Sequence, residues 1–157
     1  THNHQSVAKW IYDTVESWRV YDSASTFLIR PHPRNSFSWN ELGPPDSLGW
    51  STFSTPKKID GTYDDFDFDK VLEDAKLVIN YNSNPAIEAV LAGVPVMTHE
   101  SSRCWPVANP IGYVEEYAKP DRQQWANDLC YTEWTEQEIL SGIPFKRIRQ
   151  KLEDLVQ

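Results

Sequence analysis

Cysteine, basic residues and long apolar runs are all scarce in this chain of 157 residues. Its two cysteines, Cys104 and Cys130, are too few for a disulfide framework or for a zinc site built of cysteine alone. Lys and Arg number 15 against 23 Asp and Glu, a net charge of -8. Composition therefore supplies no general surface for polyanions, although a local basic patch stays compatible with it. No apolar run approaches the roughly 20 residues of a membrane span, and the polar opening Thr1-His2-Asn3-His4 does not read as a signal peptide. The expectation is a protein of a reducing compartment, the cytoplasm, with no membrane span. A Gly-rich nucleotide fingerprint, a Gly-x-Ser-x-Gly elbow and a Cys-x-x-Cys pair are also missing, which excludes the chemistry each supports.

Large apolar side chains are plentiful. Hydrophobic residues make up 39% and aromatic residues 13%, enough to bury a core and to argue against global disorder. The length suits one domain, or a piece of something larger.

Val7, Ile11, Val15 and Trp18 recur at spacings of three and four, which predicts a helix over Gln5–Tyr21. Thr26–Ile29 reads as a buried parallel strand, ended by Arg30-Pro31-His32-Pro33-Arg34, whose prolines stop both strand and helix. Residues 35–56, rich in Ser, Pro, Gly and Asn, read as a long loop of the kind that carries function. Lys57-Lys58-Ile59 suits a short strand. Asp64, Asp65, Asp67 and Asp69 lack the Gly and closing Glu of a calcium loop and read as a solvated acidic turn. A helix over Asp69–Ala75 follows, with Asp69 as its cap.

The next stretch is more regular. Leu77-Val78-Ile79 is an apolar strand, Tyr81-Asn82-Ser83-Asn84 a capping turn, and Pro85–Ala92 a helix opening on proline, with Ile87, Val90 and Leu91 inward. Gly93 stops it, and Val94–Thr98 forms another strand. Strand, helix and strand in such close succession predict a crossover in a parallel sheet. Residues 99–120 read as irregular. Beyond them Asp121 caps a helix holding Trp125, Ala126 and Leu129. Thr135 and Glu138 make a capping box for Glu136–Leu140, and Ser141-Gly142 breaks that helix. Pro144–Val156 closes the chain with Ile148, Leu152, Leu155 and Val156 on one face. The fold class is α/β, a Rossmann-like parallel sheet with flanking helices and a helical tail over 121–157.

Ligands of open α/β sheets bind at the carboxyl ends of the strands. Two such ends are polar here. Arg30 and Arg34 flank His32, whose neighbouring prolines fix its backbone; guanidinium forks suit phosphate. Asn82, Ser83 and Asn84 open a helix, whose first turn offers backbone N–H groups to an anion. Either feature alone has a plainer reading, a surface histidine or an unliganded cap. Together they point to one anion site. Glu88, one turn into the helix, suits ribose hydroxyls or a solvated face. His99, after the next strand, either touches the sugar or diphosphate or starts a loop. His2 and His4 read as terminus, not as metal ligands, and no metal or other cofactor is called for.

Arg30-Pro31-His32-Pro33-Arg34, followed by Tyr81-Asn82-Ser83-Asn84-Pro85-Ala86-Ile87-Glu88-Ala89-Val90-Leu91-Ala92-Gly93-Val94-Pro95-Val96, resembles the carboxy-terminal, donor-binding half of GT-B glycosyltransferases. The likeness is greatest to capsule-polysaccharide and bacterial sialyltransferase-type enzymes with an HP motif and a later Ser/Thr motif at a helix start. It implies a nucleotide-sugar as donor substrate, its phosphate held by His32 and Ser83, with Glu88 near the nucleoside. Some relatives have two adjacent hydroxyl residues where Ser83 stands between asparagines. The resemblance also implies a partner domain, amino-terminal and acceptor-binding, that supplies the base, and hence an isolated chain without transfer activity. The stretch Cys130–Gly142 resembles phage-encoded glycosyltransferases, which implies a modified DNA base as one acceptor beside glycans. The alternative is a non-catalytic module that senses or sequesters a nucleotide or nucleotide-sugar.

Overall fold

A computed structural model describes residues 4–31, 51–53, 68–112 and 118–156. The chain forms two compact units, Thr1–Ala118 and Lys119–Gln157. It is mixed α/β with small parallel sheets and several helices. None of the described helices is long and apolar enough to cross a membrane.

The first unit opens with α1 (His4–Tyr21). Of its expected stripe, Val15 and Trp18 are buried and Val7 and Ile11 half-buried, with Ala8 buried beside them. The helix ends where the Asp22 N–H reaches the Trp18 carbonyl at 2.8 Å. Then β1 (Phe27–Ile29) pairs in parallel with β2 (Ser51–Phe53), Phe27 opposite Ser51 and Ile29 opposite Phe53. Two expectations are corrected here. Strand β1 is not fully buried, since Leu28 is 48% exposed in a sheet that has two strands among the described residues. Strand β2 falls inside the stretch read as loop. Ser-Thr-Phe offers one large apolar residue and no run, and its pairing partner lies 24 positions upstream, so no local pattern marks it.

Helix α2 spans Phe68–Glu73 and buries Leu72. Asp69 lies in its first turn and is not its cap. Then β3 (Val78–Ile79), α3 (Pro85–Leu91) and β4 (Val96–Thr98) form the expected crossover, with β3 and β4 parallel and Val78 opposite Val96. The ladder runs past β3: Asn80 N–H donates to the Met97 carbonyl at 3.0 Å, and His99 N–H to Tyr81 at 2.9 Å. The face that α3 buries is Ala86, Ala89 and Val90, while Leu91 is 57% exposed. Two fully buried alanines let the short helix lie close to the sheet, and the bulkier Leu91 points away. Gly93 has φ +91°. Its N–H reaches the Val90 carbonyl and the Val94 N–H the Ala89 carbonyl, the paired bonds that end a helix on a left-handed residue.

Strand β4 is the centre of the core: Val96, Met97 and Thr98 are all buried, together with Val90 and Cys104. A 3₁₀ turn at Trp105–Val107 leads to β5 (Asn109–Pro110), parallel to β4. Residues 99–120 are therefore not wholly irregular. Pro110 has no N–H and suits the edge that β5 forms among the described strands. Buried Asn109 spends its amide on the Val96 and Ala118 carbonyls and accepts the Ala118 N–H.

In the second unit, α4 (Gln123–Thr132) starts with its Gln123 N–H on the Asp121 carboxylate at 3.0 Å. The capping box of α5 (Glu136–Leu140) is formed as expected from Thr135 and Glu138, and Gly142, with φ +76°, turns the chain into α6 (Ile143–Val156). Arg147 lies over the rings of both Tyr131 and Trp134, about 5 Å from each. Ile148, Leu152, Leu155 and Val156 are exposed.

Candidate functional site

The carboxyl tips of β3 and β4 lie side by side, because the two strands are parallel and in register. The chain that leaves β3 is Asn80-Tyr81-Asn82-Ser83-Asn84; the chain that leaves β4 is His99-Glu100-Ser101. Of the expected site residues, Asn82, Ser83, Asn84 and His99 are thus brought to one edge of one sheet.

Asn80 organises the first tip. Its Oδ1 accepts the Ser83 N–H at 2.7 Å, and its Nδ2 donates to Ser83 Oγ at 2.6 Å. The serine oxygen is occupied as an acceptor, which leaves its own hydrogen to give. Backbone donors are fewer than the capping turn suggested. Pro85 has none, and the Ala86 and Ile87 N–H groups are taken by the Ser83 and Asn84 carbonyls at 3.2 and 2.8 Å. Asn84 occupies the cap position without a side-chain cap bond. The donors that face an incoming group are accordingly side chains: the Ser83 hydroxyl and the exposed Asn82 and Asn84 amides.

The second tip is tied to the first. Asn82 Nδ2 donates to Ser101 Oγ at 3.3 Å, and Ser101 Oγ lies 2.9 Å from His99 Nδ1. The His99 ring stacks on Tyr81, centroids 4.4 Å apart and planes 15° apart, and Trp10 of α1 meets Tyr81 edge-on at 6.3 Å. Below them Thr98 Oγ1 donates to the Tyr81 carbonyl at 2.8 Å.

No family model matches the chain, and no curated protein or solved structure does. The site therefore rests on its own geometry.

Other expected residues lie on other elements or outside the described residues. Glu88 is exposed on α3, and among the described residues its carboxylate has no hydrogen-bond or ion-pair partner. Arg30 follows β1 with its guanidinium 5.3 Å from the centre of the Phe68 ring. His32 and Arg34 lie outside the described residues, as do 57–59 and the acidic stretch 62–67. Asn80, Tyr81 and Ser101 were not foreseen as site residues. Asn80 had a signal: Asn followed three positions later by Ser is the spacing at which a side chain closes on a backbone N–H. Ser101 had only its place two residues after His99.

Proposed function

We propose that the first unit is the donor-binding half of a nucleotide-sugar-dependent glycosyltransferase of GT-B type, with a Rossmann-like sheet. Transfer of a sugar leaves negative charge on the departing nucleotide phosphate, and prearranged donors at that oxygen lower the barrier. The observation that carries the reading is the Asn80–Ser83 clasp, which presents a hydroxyl hydrogen at the strand edge where α/β sheets take ligands. Ser83 and Asn84 meet the phosphate from the β3 tip and His99 from the β4 tip. Arg30, His32 and Arg34 supply cationic and imidazole groups, and Glu88 takes the ribose hydroxyls. No metal is invoked, because these groups serve as the counter-charge. The acceptor, a glycan or a modified DNA base, and the base that activates it belong to an amino-terminal partner domain in a cytoplasmic enzyme.

Thermal denaturation with UDP, CDP, CMP, GDP and ADP at millimolar concentration tests the reading. At least one nucleotide raises the melting temperature, and Ser83→Ala weakens its binding about tenfold, the scale of one hydrogen bond to a charged group. No shift with any of the five overturns it.

A further inference from the structure

We propose that Ser101 is a positioning residue: it fixes the neutral His99 ring with its hydrogen on Nε2, and so makes His99 a donor to a phosphoryl oxygen. The ligand rests on the donor-site reading above; the state of the ring does not.

The Ser101 backbone N–H lies 3.2 Å from His99 Nδ1 and donates to it. An amide N–H has only a hydrogen to offer, so Nδ1 must present its lone pair. The Ser101 hydroxyl stands 2.9 Å from the same nitrogen. With Nδ1 presenting its lone pair, the hydroxyl bonds it as a donor, while its oxygen accepts the Asn82 amide. Two donors on Nδ1 leave the hydrogen of the neutral ring on Nε2. The Tyr81 stack fixes the ring plane, and Trp10 braces Tyr81 from the edge. Nε2 has no hydrogen-bond partner among the described residues.

The two tips then offer the same chemistry. Ser83 gives an O–H, with Asn80 on one of its lone pairs, and His99 gives an Nε2–H. Asn82 couples them by reaching from beside Ser83 to Ser101. A group that meets both hydrogens must accept twice, which fits the oxygens of a phosphate and does not fit an ammonium or an amide nitrogen.

Long-range proton–nitrogen correlation spectra of the full chain, at about pH 8.5 where histidines are neutral, read the ring directly. In the unsubstituted protein His99 Nδ1 resonates as a bare, pyridine-type nitrogen and Nε2 as a protonated one. In Ser101→Ala the backbone N–H stays on Nδ1 but the hydroxyl is lost, so the two resonances move part of the way towards each other, and Ser101→Thr, which keeps the hydroxyl, restores them. A hydrogen on Nδ1, or spectra unchanged in Ser101→Ala, overturns the positioning role. Inorganic pyrophosphate is then added to the same samples. It shifts the His99 Nε2 resonance, with affinity roughly fivefold lower in Ser101→Ala, the scale of one weakened hydrogen bond. A fixed ring that pyrophosphate leaves unmoved overturns the phosphoryl ligand of His99, but neither the hold of Ser101 on the ring nor the donor-site reading, which falls only if the nucleotides fail to bind.

Discussion

The Lys76 ammonium meets the Asp22 carboxylate at 2.9 Å across 54 positions of sequence. It joins the turn after α1 to the turn before β3. Ser25 donates to the same carboxylate oxygen at 2.7 Å, and the Ala24 N–H to the other at 3.1 Å. Lys76 above all, then Ser25, pulls the Asp22 acid down from 3.8 to about 2. An acid weaker in the unfolded chain than in the folded one binds its proton first on unfolding. Its contribution to stability is therefore complete above about pH 4 and is lost as the pH falls towards 2. In Lys76→Met, a carboxyl titration by NMR shows Asp22 back near the ordinary range, held slightly below it by Ser25 and Ala24. An unchanged titration removes Lys76 as the cause.

Asn80 separates the fold of the β3 tip from its proposed chemistry. Asn80→Asp keeps an acceptor for the Ser83 N–H and loses the Nδ2 donor. The Ser83 hydroxyl then turns its hydrogen to the new carboxylate and withdraws it from any ligand. The expected result is stability within about 1 kcal/mol of the unsubstituted protein, the scale of one hydrogen bond, with nucleotide binding abolished by the lost donor and the added charge. Asn80→Ala loses both bonds and falls further in stability. Chemical denaturation beside a nucleotide titration checks both variants; full binding by Asn80→Asp contradicts the role given to the clasp.

Cys104 and Cys130 differ in reactivity because they differ in burial. Cys104 is wholly buried beside β4, and burial pushes its thiol up, away from the reactive thiolate. Cys130 is exposed on α4. Iodoacetamide on the folded protein adds one adduct, on Cys130, and a second on Cys104 only after unfolding. Peptide mass spectrometry showing both adducts on the folded chain refutes the burial of Cys104.

The β3–α3–β4 crossover was legible because its signals are local. Pro85 opens the helix, Gly93 closes it, and the two apolar strands stand on either side. The capping box at Thr135 and the break at Gly142 were legible for the same reason. Strands β2 and β5 were not. Ser51–Phe53 and Asn109–Pro110 are held by partners far along the chain or by a buried amide, and three or two residues carry no periodicity. On α3, Val90 is buried as expected, but Leu91 is not: side-chain size suggested Leu91, and close packing on β4 selected Ala86 and Ala89. Ser83 and His99 stood out as polar residues at strand ends. Asn80 and Ser101, which orient them, act over three and two positions, and only the Asn82–Ser101 bond that joins the two tips needs the parallel register of β3 and β4.

Thr135 and Glu138 hold the start of α5 reciprocally. The Glu138 carboxylate accepts the Thr135 N–H at 2.9 Å and its hydroxyl at 2.8 Å, while Thr135 Oγ1 accepts the Glu138 N–H at 3.3 Å. The Thr135 N–H, more than its hydroxyl, lowers the Glu138 acid below the usual 4.5. This contribution is present above pH 4.5 and is lost as the pH falls through the lowered value. Thr135→Ala is expected to cost about 1 kcal/mol, the scale of one lost helix cap, and Thr135→Ser to recover most of it. Glu138→Gln keeps the reach back to the Thr135 N–H without the charge, so the helix start survives and its acid dependence disappears. Amide exchange of α5 between pH 6 and 3 separates the two effects. Equal acid dependence in Glu138→Gln and the unsubstituted chain assigns the titration to another group.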